Sequence, residues 1–315
     1  MAEGALVIGA ANFDIKGRML HPPVITSSNS SAIKTSFGGV ARNIAENLAK
    51  LGAPVTLLTA VGDDYAGEDL LSTASDDGVD VSRALVIENE TTGTYLAALD
   101  DGGDLYLGLD DLRVLRHITP DYLRLNRDAF RECEIVAFDL NLSQEAILTA
   151  IHLAHEYDKP ICVDPTSTVL AASVRPYLSM VNVVTPNIAE AEAMLRCVIR
   201  TPDEALNAAR QLVAQGVEVA VITQAESGAC YATEDESGQF PALRVNIVDT
   251  TGAGDALTAM VIFGVLNDLS ISDSLQLGLR AAAMTLRSAQ TVAPELTLDK
   301  LYGFEDALTL RAADN

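Results

Sequence analysis

The stretch Asp249-Thr250-Thr251-Gly252-Ala253-Gly254-Asp255 places two glycines and a carboxylate between an apolar run at 245–248 and a longer one at 256–266. Read as the end of a strand and the body of a helix, the two runs put the glycines at a helix mouth. Backbone N–H groups there have no intrahelical partner, and the helix dipole adds positive potential, so an anion is welcome. Gly252 and Gly254 let the backbone approach a ligand without a side chain in the way. Asp255 repels an anion unless it has a task. The task that fits is to take a proton from a hydroxyl that then attacks a phosphate. An ordinary glycine turn with a first-turn Asp favoured by the dipole is the competing reading.

Further polar residues fall where buried strands would end. The run 5–10 is apolar without alternation, as in a strand covered on both faces. Asn12 and Asp14 follow it, where open α/β sheets place ligands; they could hold substrate hydroxyls or form a simple Asx turn. Gly38-Gly39 opens a helix that runs to Leu51 and stops at Gly52. Asn43, in its first turn, can both donate to and accept from a polyhydroxy ligand. Asp139 with Asn141, and then Asp164, end two more strand-like runs. Asn187 and Glu190 follow Pro186 three residues apart, so one helical turn brings them together. Their oxygens suit Mg²⁺, held directly or through water, and a capping-box acid is the plainer reading of Glu190.

The elements that must position these residues alternate regularly from Thr119 onward. Thr119-Pro120 and Thr201-Pro202 are N-cap residues followed by proline at the first helical position. Helix 120–131 precedes strand 135–139, helix 144–157 precedes strand 160–164, and a short helix at 169–178 leads to strand 181–185. A helix closing at Gly216 is followed by strands 217–223 and 229–233. Such alternation predicts an α/β fold with a mainly parallel central sheet flanked by helices on both faces. A hairpin, 91–99 and 105–109 about the turn 100–104, interrupts the pattern. With the Ser- and Pro-rich region 15–37 it is expected to form a small β-sheet lid or dimer face covering about 15–37 and 91–112. No composition shift marks a linker, so one domain is expected over 1–315.

Composition narrows the function. With 21 basic and 44 acidic residues among 315, the net charge is −23. Such a surface repels nucleic acid and anionic membranes, so neither is expected as a partner. A site for a phosphorylated ligand must therefore be locally positive. The four cysteines are dispersed in apolar segments, as reduced, packed thiols would be. No basic-then-apolar leader opens the sequence and no apolar stretch is long enough to span a bilayer, so a cytoplasmic location is expected. There is no Gly-Lys pair for a P-loop, no GxGxxG after a strand, no HExxH and no GxSxG. The missing GxGxxG counts against a Rossmann-type oxidoreductase. His152 and His155, one turn apart without further ligands, read as a surface pair.

Taken in order, Gly38-Gly39 with Asn43, Asn187-x-x-Glu190 and the 249–255 stretch resemble the marks of the PfkB, or ribokinase-like, carbohydrate and nucleoside kinases, across essentially the whole chain. The resemblance implies ATP-dependent transfer of the γ-phosphoryl group to a substrate alcohol. It also implies a sheet flanked by helices, a three-layer sandwich with a β lid that often pairs across a homodimer. Carried onto this sequence, Asp255 is the base, and the N–H groups of Gly252, Ala253 and Gly254 form the anion hole. Asn187 and Glu190 organise Mg²⁺ and phosphates. Asn12, Asp14, Gly39 and Asn43 bind the sugar, with Asp139 and Asp164 beside them. Thr223, Gly228, Thr251 and Gly254 contact ATP, although the family often has glycine where this chain has Ala225. Many members respond to K⁺ at a loop that includes the backbone of Asp249 and Thr251; the sequence leaves that open. The run 37–52 is similar to the bacterial pseudouridine kinases of the family, implying phosphorylation of a ribose 5′-hydroxyl with Lys16, Asn12 or Thr94 at the uracil edge. Ribose, adenosine and 2-keto-sugars remain open as acceptors. A non-catalytic sugar or nucleoside sensor is the reading from a different class.

Overall fold

The computed structural model describes residues 4–304. Its main sheet has eight strands. Starting from one edge of the parallel part, these are β4 (Val55–Leu58), β1 (Ala5–Ile8), β9 (Ile135–Asp139), β10 (Ile161–Asp164), β11 (Val183–Val184) and β12 (Val219–Thr223), all mutually parallel. β13 (Ala229–Ala232) and β14 (Ser237–Phe240) then add antiparallel at the far edge. A second sheet of four strands takes the order β3 (Ser31–Gly38), β2 (Asn12–Met19), β7 (Thr94–Leu99) and β8 (Leu105–Asp111). β5 (Ala60–Gly62) and β6 (Leu85–Ile87) make a short parallel pair.

The absence of alternation in the strands has a direct structural cause. Along β1, Leu6 and Ile8 pack into one hydrophobic core and Ala5 and Val7 into another on the opposite face. The first core is closed by helices that include Gln144–Glu156 and Pro202–Ala214, the second by Val40–Lys50, Ala253–Leu266 and Ile271–Leu286. Ala253–Leu266 is buried continuously from Ala256 to Gly264, which explains why it is apolar all round. The caps lie where the Thr-Pro pairs place them: Thr119 accepts from Tyr122 N at 3.2 Å and Thr201 from Glu204 N at 3.2 Å.

Several boundaries differ from the expectations, each for a local reason. The segment 245–248 is no strand. Ile247 and Val248 are exposed, and Val248 N donates to Leu286 O at the end of a helix, so no neighbouring strand is present to pair with. Helix 120–131 is two helices, Pro120–Leu125 and Arg127–Glu132. They break at Asn126, whose amide donates to Tyr122 O and competes for helical hydrogen bonding. The apolar run after Pro54 divides at Thr59, whose hydroxyl donates to Gly9 O at 2.7 Å. The small sheet begins at Asn12 rather than near residue 15, so Asn12 and Asp14 stand on β2 itself, not in a turn after β1.

Candidate active site

The helix Ala253–Leu266 begins at Gly252, which has φ +85° and provides no side-chain cap. A Cβ at Gly252 would lie 1.9 Å from Thr291 O, so close packing as well as backbone angle demands glycine there. At Gly254 an added Cβ would meet nothing within 4 Å: this face of the helix start opens onto free space. Ala256 N is the first to bond back, to Gly252 O at 2.9 Å, so the N–H groups before it are the unpaired donors of the helix mouth.

Asp255 sits beside those donors. Asn43 Nδ2 donates to Asp255 Oδ2 at 2.6 Å. The Asn43 amide is itself oriented, because Asn43 Oδ1 accepts from Arg42 Nη1 at 3.1 Å and from Thr291 Oγ1 at 3.1 Å. Burial pushes the Asp255 carboxyl up to about 7; the Asn43 bond opposes this, and the carboxylates of Asp139, Asp14 and Glu190 reinforce it. A carboxyl poised near neutrality is matched to accepting a proton.

Asn12, Asp14 and Lys16 alternate along β2 and so share one face. Asn12 Nδ2 donates to Asp14 Oδ1 at 2.5 Å. Burial raises the Asp14 carboxyl to about 6, with Lys16, Asn12 and Arg42 pulling the other way. Gly38 makes room for it, since a Cβ there would lie 2.4 Å from the Asp14 carboxylate. Gly39, at φ +96°, packs against Ala10 O. Lys16 reaches across to the 249–255 stretch: its Nζ lies 2.7 Å from Asp249 Oδ2 and 2.6 Å from Thr251 Oγ1. Lys16 thus ties β2 to the 249–255 stretch.

Asp139 is fully buried and spent. Its Oδ2 accepts from Ala10 N and Ala41 N, and its Oδ1 from Asn141 N and Nδ2. It braces the exit of β1 against the start of the helix Val40–Lys50, and a substrate hydroxyl finds no free oxygen there; the expectation of a substrate contact is corrected on that ground. Asp164, its register partner across β9 and β10, is also buried. Thr166 N donates to Asp164 Oδ1 at 2.9 Å, and the Thr258 hydroxyl, one turn beyond Asp255, lies 3.1 Å from Oδ2. Burial, with the nearby charges of Asp255 and Glu190, drives its carboxyl well above the usual range.

Asn187 and Glu190 form a reciprocal capping box at the helix Ile188–Leu195. Asn187 Oδ1 accepts from Glu190 N, and Glu190 Oε2 accepts from Asn187 N, both at 2.9 Å. Asn187 Oδ1 keeps a second lone pair and its amide two donors, so a phosphate oxygen or a metal-bound water can meet it. Glu190 retains Oε1. Its buried carboxyl, pushed up by desolvation, is one a cation would relieve. Among the described residues no cluster of three or more ligating side chains exists.

A bridge pairs Asn187 with Thr223, so the turn 223–228 lies alongside. Gly228 has φ +93°, and Ala225, where glycine was expected, nonetheless adopts φ +47°. The turn keeps the left-handed geometry at a cost of about 1 kcal/mol. Three residues of the site escaped the sequence reading: Arg42, Thr258 and Thr291. Arg42 carried a faint signal, a charge beside two glycines in a helix turn that packs on the core. The two threonines carried none. His152 and His155 are both exposed, as a surface pair should be.

A carboxyl raised to near neutrality and an uncapped helix start lie side by side, an arrangement that would suit phosphoryl transfer to an alcohol. The chain belongs to the pfkB family of carbohydrate kinases, whose family model matches residues 2–298. It is 30% identical over 294 residues to the pseudouridine kinase of Escherichia coli (strain K12), covering 93% of each chain. It is also 30% identical over 298 residues to the guanosine-inosine kinase of Exiguobacterium acetylicum, covering 94% of this chain and 98% of that one. Among solved structures, the E. coli putative ribokinase II in complex with ATP and Mg²⁺ superposes with a TM-score of 0.83 at 17% identity, covering 97% of this chain and 99% of that one.

Proposed function

We propose that the chain transfers the γ-phosphoryl group of ATP to the 5′-hydroxyl of pseudouridine, yielding pseudouridine 5′-phosphate and ADP. The observation that carries the site assignment is the Asn43–Asp255 hydrogen bond beside an uncapped helix start. Asp255 takes the proton of the attacking hydroxyl. The N–H groups of the 252–254 segment receive the charge that develops on the transferred group. Asn12 and Asp14 hold ribose hydroxyls from β2, and Gly39 keeps the backbone close. Thr223 and Gly228 flank the nucleotide, with Asn187 donating to its phosphates. Asn187 and Glu190 would hold Mg²⁺ through water, and the ion would supply charge neutralisation at the phosphates.

The acceptor is argued from the likeness to the E. coli pseudouridine kinase and from the run 37–52. A guanosine or inosine acceptor is favoured by the equal identity to the Exiguobacterium kinase. Purified protein with ATP, Mg²⁺ and a panel of pseudouridine, uridine, guanosine, inosine and ribose separates them. The expected result is the highest kcat/KM for pseudouridine. Higher values for guanosine or inosine move the assignment to a purine nucleoside, and transfer to ribose alone moves it to a sugar. K⁺ at the backbone of Asp249 and Thr251 belongs to the same reading, and repeating the assay with Na⁺ in place of K⁺ tests it.

The same reading treats 1–315 as one kinase domain working in the cytoplasm, where ATP is the donor. The small sheet is its lid and the face of a homodimer. Ile33, Leu105, Leu107 and Leu109 are exposed on it, an apolar surface that a second copy would cover. Sedimentation that shows a monomer at assay concentrations would remove the dimer from this reading.

A further inference from the structure

Lys16 stands on β2, in the small sheet, yet its ammonium is bound to the loop that leads into the catalytic helix. Its side chain is only 14% exposed. Two of its three donors are occupied, by Asp249 Oδ2 and Thr251 Oγ1, and the third has no partner among those bonds. A tether between sheet and body would look like this. So would a cation parked where it will be needed.

Charge distinguishes the two. Asp14, Asp164, Glu190, Asp249 and Asp255 surround the site in a chain of net charge −23, and ATP brings further negative charge. Among the described residues, Arg42 and Lys16 are side-chain cations bonded to groups of the site. Arg42 is committed to Glu46, to Phe37 O, to Asn43 Oδ1 and to Thr291 Oγ1, behind Asn43. Lys16 is bonded instead to the loop that leads into the helix mouth. Thr251 adjoins Gly252, so the ammonium lies next to the unpaired N–H groups of the helix mouth. Asp14, two residues back on the same face of β2, lies on the acceptor side, close enough for Lys16 to act on its carboxyl. The ammonium therefore lies between Asp14 on β2 and the loop that precedes the helix mouth.

We propose that Lys16 is a catalytic residue whose ammonium moves from Asp249 onto the oxygens of the phosphoryl group in transit. No bond to Lys16 forms or breaks. The bond from phosphorus to the ADP oxygen breaks, the bond to the acceptor oxygen forms, the acceptor proton passes to Asp255, and Lys16 neutralises charge throughout. Asp249 and Thr251 hold the ammonium in place until the nucleotide arrives. Lys16's role rests on the placement of phosphoryl transfer at Asp255.

The test uses the full chain and whichever acceptor the wild type phosphorylates best. Lys16→Met is expected to lower kcat about 100-fold, the scale of losing one charge-stabilising donor. Its acceptor affinity by calorimetry should stay within about threefold, a change of well under 1 kcal/mol. Binding of MgADP with aluminium fluoride should weaken by at least about 30-fold relative to MgADP alone, since the loss is confined to the transition-state mimic. Lys16→Arg, which keeps the charge, should recover part of the rate and guards against a simple folding defect. Unchanged kcat, or lost acceptor affinity at unchanged kcat, or an undisturbed aluminium fluoride complex would each overturn the role. Asp255→Asn in the same assay separates the failures. If it is inactive while Lys16→Met is fully active, Lys16 alone is wrongly assigned; if it remains active, the placement of the whole site falls.

Discussion

Asn43 Nδ2 and Asp255 Oδ2 meet at 2.6 Å across 212 residues of chain, joining the helix Val40–Lys50 to the helix Ala253–Leu266 at the point where both begin. The bond favours the ionised carboxylate against the burial that raises its pKa. Replacing Asn43 with Ala removes that preference and one orienting contact. The expected result is a drop in kcat/KM of roughly 10- to 100-fold at pH 7, from a lost charge-assisted bond of about 1.5–3 kcal/mol. The rising limb of the pH profile should move to higher pH. A drop in rate with an unmoved limb would show that Asn43 acts only on the substrate.

The wild-type pH profile follows from the same carboxyl. A base must be ionised to act, and the Asp255 pKa is raised to about 7, so kcat/KM should climb with pH through about 7 and level off above it. The stability dependence has the opposite sign. A folded pKa above the unfolded one means the folded state holds its proton longer, so the contribution is complete below the unfolded pKa and lost as pH rises through about 7. Asp255→Asn, which cannot ionise, should match the wild type in unfolding midpoint near pH 4. Above pH 7, without nucleotide, it should be the more stable of the two. A constant difference across that window would contradict the raised pKa.

Two glycines of one loop should respond differently to the same methyl group. Gly252→Ala puts a Cβ 1.9 Å from Thr291 O at φ +85° and is expected to cost several kcal/mol, near the upper end of single substitutions. Gly254→Ala meets nothing in the protein and should leave the unfolding midpoint within about 2 °C, the span of about 1 kcal/mol in a chain of this size. Its methyl group would project into the space reserved for the phosphoryl group, so kcat should fall steeply. Thermal unfolding and turnover measured together check both.

Glu190→Gln keeps an oxygen for Asn187 N and so preserves the capping box, while removing the charge offered to Mg²⁺. The fold should be retained. The Mg²⁺ concentration for half-maximal rate should rise about tenfold or more, the scale of altering a metal's surroundings. An unchanged Mg²⁺ dependence would place the ion elsewhere.

The layered fold was legible because its strands are apolar on both faces and its helices announce themselves with Thr-Pro caps at Thr119 and Thr201. The segment 245–248 misled because its composition suits a strand, and nothing in it reveals that no neighbouring strand is there to pair with. Asp255 and Asn43 were legible from the company of glycines at helix starts. Asp139 was not: its carboxylate is consumed by the N–H groups of Ala10 and Ala41, 129 and 98 residues away in sequence. Lys16 was singled out for the edge of a uracil base, and nothing local pointed to its partner Asp249, 233 residues on. Such pairings are set by the folding of the second sheet over the first, which local pattern does not encode.

As proposed, Asp255 is the base for transfer to a nucleoside hydroxyl. Its most direct test is the turnover of Asp255→Asn with ATP, Mg²⁺ and pseudouridine, with nucleoside and nucleotide binding measured by calorimetry on the same preparation. The prediction is a loss of kcat of at least about 10²–10⁴-fold with both ligands still bound. Turnover at the wild-type rate would contradict it.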